Sequence, residues 1–446
     1  MTAGQSLTAF VGLSHLGITY SAAWAAQGGQ VVGVDPVPGL AARLARGDLP
    51  VQEPGLPDLL AGCGNRITFT DNLAAVAECS LVVFCRDVPT DDDGVSDLRP
   101  IDDLLDRVVA DLRSGTVLVV MSQVPPGFTR ALSQRIRSAR PDLAVEVYYW
   151  VETLVFGNAV RRATRPERLI IGCADPSEPL APALAETAER FDCPVLPMVY
   201  ESAELAKLAI NLYLASSVTC TNALADLCER VGADWSEITP ALRLDARIGP
   251  AAYLQPGLGV AGGNLERDLT TLRRLAQRSG ADAAYLETLI ELNLQRLRWV
   301  QQLLERLVLG TTIDPTVGVW GLTYKKNTRS TKNSPALRVI ASLIGRARIR
   351  AWDPAVGDEV VSAGVDITRH RDGVLDGADC LVIMSDWDEF GTADLEAIRQ
   401  RMRRSLVIDC VGILSGRRGE LAGIEYFAMG LSRTGEVARE PVGALV

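Results

Sequence analysis

The run Gly12-Leu13-Ser14-His15-Leu16-Gly17 follows an apolar stretch, Leu7 to Val11, and precedes a helical pattern passing through Ala23, Ala25 and Ala26. A strand that turns on glycine straight into a helix is the first half of a βαβ unit, which commits the chain to an α/β fold. The first glycine of such a turn permits the tight bend and the last permits close helix packing. A middle glycine lets the backbone approach a pyrophosphate resting on the helix N-terminus. Here Ser14 stands in the middle, so the loop must sit slightly differently, and its hydroxyl can donate to a phosphate. Val31-Val32-Gly33-Val34 reads as a second strand ending at Asp35. A carboxylate there accepts from both ribose hydroxyls of a dinucleotide and repels a 2′-phosphate. The reading is therefore an NAD site rather than a bare glycine turn, with Gly12, Ser14, His15, Leu16, Gly17 and Asp35 on the cofactor.

The β/α alternation continues through Leu81–Phe84, Val117–Val120 and the run from Val145 to Val147. From Glu201 to about Arg230 apolar residues recur at helical spacing, at Leu205, Leu208 and Leu212, with Ala215 next. Asn264 to Val308 is helical too, interrupted near Ser279-Gly280. Val317-Gly318-Val319-Trp320 restarts the alternation, followed by strands at 349–352, 380–383 and 406–408. No short internal repeat stands out. The predicted architecture is two Rossmann-like doubly wound domains joined by a long-helix central domain, with boundaries at residues 1–198, 199–308 and 309–446 and the NAD site in the first.

Composition narrows the partners. A chain of 446 residues is long enough for two or three cores, and its net charge of −10 gives no global attraction to nucleic acid or an anionic membrane. No uninterrupted apolar run approaches ~18 residues, and the N-terminus lacks a basic n-region. The nine cysteines are dispersed without metal-type pairing, so no metal site is expected and a reducing, cytoplasmic setting is. Two histidines leave little room for imidazole acid–base chemistry. Of 45 basic residues only Lys207, Lys325, Lys326 and Lys332 are lysine, which marks them as places where a compact ammonium matters.

Several further runs resemble the UDP-glucose/GDP-mannose dehydrogenase family. Glu53-Pro54-Gly55-Leu56 resembles its E-P-G-L, Pro89-Thr90 its V-P-T-P strand end, and Glu204-Leu205-Ala206-Lys207 with Asn211 its E-L-x-K-x-x-x-N helix. Asp245-Ala246-Arg247-Ile248-Gly249 is similar to D-x-R-I-G, and Gly321-Leu322-Thr323-Tyr324-Lys325 with Ser334-Pro335-Ala336 to G-L-x-F-K…S-P-A. Trp352-Asp353-Pro354 matches its Y-D-P. The resemblance runs nearly end to end. It implies two successive NAD-dependent oxidations of a primary alcohol to a carboxylate, the second through a cysteine thiohemiacetal and thioester. It also implies a homodimer or larger homo-oligomer, with 199–308 as the dimerisation domain and 309–446 as the nucleotide-sugar-binding domain. It puts Pro89, Thr90 and Lys332 beside the cofactor, and Arg247, Tyr253, Gly257, Gly259 and Lys325 beside a UDP- or GDP-linked sugar.

The departures cluster. The family's catalytic loop, G-x-G-F-G-G-x-C-x-P-K-D, aligns with Gly257 to Asp268, where Asn264 takes the place of the cysteine. An amide is not a competent nucleophile toward an aldehyde. Phe156 replaces the second acid of P-E-F-L-x-E-G, of which Glu152 is the first, and Gln123 replaces the threonine of S-T-V-P. What survives is a set for one hydride transfer: Lys207 and Asn211, four apart on one helix face, to stabilise an alkoxide, and Asp268 as base. The expectation is a two-electron oxidation of the exocyclic C6 alcohol, to an aldehyde or, from a secondary carbinol, to a ketone that goes no further. Phe156 then shapes the pocket for a larger substituent, as in the octoses of lincosamide-type pathways. An epimerase working by transient oxidation and a catalytically silent nucleotide-sugar-binding subunit are the alternatives.

Overall fold

The computed structural model describes residues 6–91 and 94–431. The chain divides into two compact units, Met1–Ile210 and Asn211–Val446.

The first unit is built on an eight-stranded sheet of order β3-β2-β1-β4-β5-β6-β7-β8. Its strands are β1 (Leu7–Val11), β2 (Gln30–Val34), β3 (Ile67–Thr70), β4 (Leu81–Phe84), β5 (Val117–Val120), β6 (Glu146–Trp150), β7 (Leu169–Cys173) and β8 (Val195–Val199). Strand pairing is parallel except between β6 and β7. The period of two sorts the side chains by face. Ala9, Val11, Val82 and Phe84 share one core with Ile101 and Leu105 of the helix Arg99–Asp111. Phe10, Val31, Leu81 and Val83 share the other with Tyr20 and Trp24 of the helix His15–Ala26. A sheet covered on both faces needs apolar residues at every position of its central strands, which is why β4 and β5 read as unbroken apolar runs.

The second unit carries a six-stranded parallel sheet, order β11-β10-β9-β12-β13-β14. These are β9 (Thr316–Trp320), β10 (Arg348–Trp352), β11 (Val365–Ile367), β12 (Cys380–Ile383), β13 (Leu406–Asp409) and β14 (Glu425–Ala428). Val317, Val319, Cys380 and Val382 face a core shared with Val300, Leu303 and Leu304 of the helix Ala284–Leu304, while Trp320, Leu381 and Ile383 face the opposite one. The helices Asn264–Ser279 and Ala284–Leu304 are separated at Gly280, whose φ of 76° closes the first in a left-handed cap.

A 32-residue helix, Tyr200–Val231, runs from the first unit into the second. By length and composition it is the one described helix that would suffice to cross a membrane. Its Glu204 and Lys207 are buried against protein groups instead.

Two features differ from the sequence reading. Strands β3, β7, β8, β11 and β14 were not legible, and the antiparallel entry of β7 breaks the all-parallel expectation. A repeat is also present in topology where none shows in sequence. The order of β9 to β14 reproduces that of the first six strands of the first sheet, and so does the turn after the first strand. Gly12 has φ 97° and donates to Val34 O at 2.9 Å; Gly321 has φ 92° and donates to Trp352 O at 2.9 Å. Leu13 N donates to Asp35 Oδ2 at 2.7 Å; Leu322 N donates to Asp353 Oδ2 at 2.7 Å. What repeats is a backbone geometry, which few residue identities enforce.

Candidate active site

In the first unit, the Gly12–Gly17 turn lies between β1 and the helix that begins at His15. A Cβ on Gly17 would stand 1.9 Å from Gly12 O, so the helix can approach the turn only with glycine there. No side chain caps this helix and no acid lies in its first turn, which leaves its N-terminal amides and dipole for an anion. Asp35 is buried at the end of β2, its carboxylate accepting from Leu13 N at 2.7 Å and Val37 N at 3.0 Å. The acid thus fixes the turn from the end of β2. These residues fit a dinucleotide.

Two side chains of this loop have partners within the protein. The Ser14 hydroxyl accepts from Asp87 N at 3.1 Å and lies 3.5 Å from Cys85 O. His15 is buried, its Nε2 3.1 Å from Glu53 Oε2 and its ring stacked on Phe156 at 4.3 Å between centroids. Its side chain is a structural wedge between the turn and the 152–158 loop, while Leu16 sits in the core. Pro89 is exposed and Thr90 bridges Ser96 beyond β4.

Glu152 follows β6 and Gln123 follows β5, at the carboxyl ends of neighbouring strands where ligands of open α/β sheets bind. Lys207 Nζ lies 2.5 Å from Glu152 Oε1 and donates to Glu152 O at 3.0 Å, with both side chains largely buried. Glu152 Oε2 accepts from Leu154 N at 2.8 Å. Tyr20 is buried beside this carboxylate, and burial together with the Glu152 charge pushes its phenol well above the ordinary range. It therefore stays a neutral hydroxyl. Two motif acids turn out to be architectural. Glu204 is fully buried and accepts from Gly127 N and Thr129 N, at 2.6 and 2.8 Å, at the start of the helix Phe128–Ala139. Glu53 accepts from Gly157 N and Ala159 N, at 3.0 and 2.8 Å, tying the loop that carries Phe156.

In the second unit, Asn211 Nδ2 donates to Asp268 Oδ2, and Arg267 Nε donates to Asp268 Oδ1 at 3.1 Å, with Asp268 1% exposed. The glycine-rich loop is pinned from outside: Asn222 Oδ1 takes Gly257 N at 2.9 Å and Asn293 Oδ1 takes Val260 N at 2.6 Å. Gly262, at φ 92°, lies so close to Tyr324 that a Cβ would be 2.5 Å from its ring. Gly263 is flanked by Lys332, 3.1 Å from where its Cβ would be. The loop ends on Asn264, the exposed first residue of the helix Asn264–Ser279. Arg247 is 89% exposed at its side chain and forks onto Asp245 at 2.7 and 3.0 Å, and Tyr253 is also exposed. Lys325 lies 5.6 Å over the Tyr324 ring. The loop, Asp268, Tyr324 and Lys332 are thus drawn together within this unit.

Residues 6–189, 201–295 and 318–416 match, in turn, the NAD binding domain, the central domain and the UDP binding domain of the UDP-glucose/GDP-mannose dehydrogenase family. The chain belongs to that family. It is 31% identical over 433 residues to the UDP-glucose 6-dehydrogenase of Rhizobium meliloti, covering 94% of this chain and 98% of that one. It is 30% identical over 448 residues to the UDP-glucose 6-dehydrogenase of Pseudomonas aeruginosa, covering 95% and 97%. A UDP-glucose dehydrogenase structure from Pyrobaculum islandicum superposes with a TM-score of 0.85 at 27% identity, covering 97% of this chain and 100% of that one. The family uses NAD, and the turn, helix N-terminus and Asp35 of the first unit are where this chain would hold it. The chain is an oxidoreductase of the NAD-dependent nucleotide-sugar dehydrogenase family.

Sequence reasoning missed Tyr20, Arg267 and the capping roles of Glu53 and Glu204. A buried tyrosine inside a helix has no local signature, and a cap made across more than 70 residues, as Glu204 makes to Gly127, has none either.

Proposed function

We propose that this family member removes two electrons from the exocyclic C6 carbinol of a nucleoside-diphosphate sugar and releases the carbonyl. The observation that carries the reading is Asn264. It occupies the first position of a helix, where the dipole would hold a thiolate, and it offers an amide that cannot form the thiohemiacetal. Bound NAD supplies the acceptor for one hydride. The chain's own groups manage the oxygen. Lys207 and Asn211 donate to it as charge builds, and Asp268 receives its proton through a water molecule, so a C–H and an O–H bond give way to a C=O bond. Glu152 holds the Lys207 ammonium in place. Arg247, Tyr253, Lys325, Gly257 and Gly259 are assigned to the nucleotide sugar, and Pro89, Thr90 and Lys332 to the cofactor.

Phe156 and Gln123 support the same reading. Two polar groups that would serve acid formation are replaced by a ring stacked on His15 and by a neutral amide. An apolar wall at 156 suits a substituted C6, whose oxidation stops at a ketone. Free thiols throughout the described residues support a reducing, cytoplasmic setting. The experiment is turnover of nucleotide sugars, C6-extended ones included, with NADH counted and products weighed. Loss of two hydrogens with one NADH per sugar is expected. Two NADH and an acid would overturn the reading, and inverted C6 with no net NADH would mark an epimerase.

A further inference from the structure

Arg86 lies on the turn after β4, and its backbone crosses the mouth of the Gly12–Gly17 turn. A Cβ on Gly12 would stand 2.7 Å from Arg86 Cβ and 2.8 Å from its Cα, so the two segments are in direct contact. The main chain around Arg86 is held by two hydroxyls, Ser122 and Ser14. Ser122 Oγ donates to Arg86 O at 2.6 Å, Asp87 N donates to Ser14 Oγ at 3.1 Å, and Ser14 Oγ lies 3.5 Å from Cys85 O. The side chain is held far less. Its Nη1 is 4.0 Å from Asp35 Oδ2, beyond hydrogen-bond reach, and it remains one-third exposed. Asp35 already accepts from Leu13 N and Val37 N. A guanidinium with a fixed base and a loosely held head, set between an uncapped helix N-terminus and the ribose-facing acid, is built to close on an anion.

We propose that Arg86 is a cofactor-binding residue whose guanidinium holds a phosphate group of the adenine dinucleotide, and that Ser14 is the residue that positions it. The two belong together: Ser14 departs from the glycine of the fingerprint, and the hydroxyl it adds is spent on the turn that carries Arg86. The arrangement resolves a conflict in an acidic chain. Burying Asp35 beside a polyanionic ligand calls for a compensating cation, and no Lys or Arg occurs in the glycine turn itself. The inference rests on the NAD assignment alone and is independent of how many electrons the enzyme removes.

The test is binding of NADH and NADPH to the full chain by titration calorimetry, at low and high salt, without sugar. Arg86→Ala is expected to raise the NADH Kd about tenfold at low salt and less at high salt, the loss typical of one charge-assisted contact. Arg86→Lys recovers part of it, and melting temperatures stay near wild type because the head group is loosely held. A loss for both dinucleotides assigns the contact to the pyrophosphate; a loss for NADPH alone, with NADH unchanged, overturns the proposal, since NAD carries no 2′-phosphate. Ser14→Gly should weaken binding by a smaller factor, and the double variant should bind like Arg86→Ala. Unchanged NADH and NADPH affinity in Arg86→Ala overturns the proposal, and strictly additive losses overturn the role of Ser14. Failure of wild type to bind NADH would strike the cofactor assignment itself.

Discussion

Lys207 stands 2.5 Å from the Glu152 carboxylate with 9% of its side chain exposed. The ammonium is thereby fixed in direction, and under the proposed mechanism it donates to the reacting oxygen as negative charge builds. Lys207→Ala is expected to lower kcat by about 10²–10³, the cost of losing one donor aimed at developing charge. Nucleotide-sugar affinity should stay within about threefold, since the contact belongs mostly to the transition state. Steady-state kinetics with a binding titration on the same variant check this, and normal turnover would sink the assignment. Lys207→Arg should also be poor, because a planar fork cannot repeat two contacts at 2.5 and 3.0 Å from one nitrogen. At position 35, a partly desolvated acid beside a 2′-phosphate costs on the order of a few kcal/mol. The enzyme should prefer NAD in kcat/KM, and Asp35→Asn should narrow the gap.

Single helices and loops depend on acids that come from far away in sequence. Glu204 supplies both oxygens to the first amides of the helix Phe128–Ala139, which follows the Gln123-Val124-Pro125 turn. Burial pushes its carboxyl above the usual range, against the lowering pull of those two amides. Glu204→Ala strips two amides of their acceptor and should destabilise the protein by about 1–3 kcal/mol. Thermal or urea unfolding measures it, and an unchanged midpoint would refute the cap. In the glycine-rich loop, Gly262→Ala combines a φ of 92° with a Cβ driven into Tyr324. That variant should lose sugar binding before it loses NADH binding, because the strain falls in the second unit while the dinucleotide turn lies in the first.

At the scale of the whole molecule, two sheets that share the order of six strands carry two turns of the same geometry, Gly12 with Asp35 and Gly321 with Asp353. The Asp353 carboxylate is taken by Leu322 N, Thr323 N, Thr323 Oγ and Ala355 N, so the second copy of the acid serves its own loop. The proposed two-electron outcome is probed by one substitution. Asn264→Cys restores a thiol at a helix N-terminus, where it is activated. With an aldehyde product it should trap at most one further turnover as a covalent adduct, seen by intact mass, because Phe156 and Gln123 leave thioester hydrolysis unassisted. Sustained acid production would show those two substitutions to be neutral.

The sequence alone determined the βα turn at Gly12–Gly17, the acid at Asp35, the long helix after residue 200 and the missing thiol at 264. Each is written in a short window: a glycine spacing, a 3.6-residue period, or one residue out of register with a dense motif. It did not determine β7 turning antiparallel, or β3, β8, β11 and β14, which are short and lie toward the sheet edges or are only half buried, so their apolar pattern is broken. Nor could it tell which motif residues meet a ligand and which hold the scaffold. Glu53, Glu204 and Glu152 look alike as motif acids in a string. Only the tertiary structure makes the first two helix caps and pairs the third with Lys207, because that distinction depends on which backbone amides or ammonium groups the fold brings within about 3 Å, and those partners lie 55 to 106 residues away.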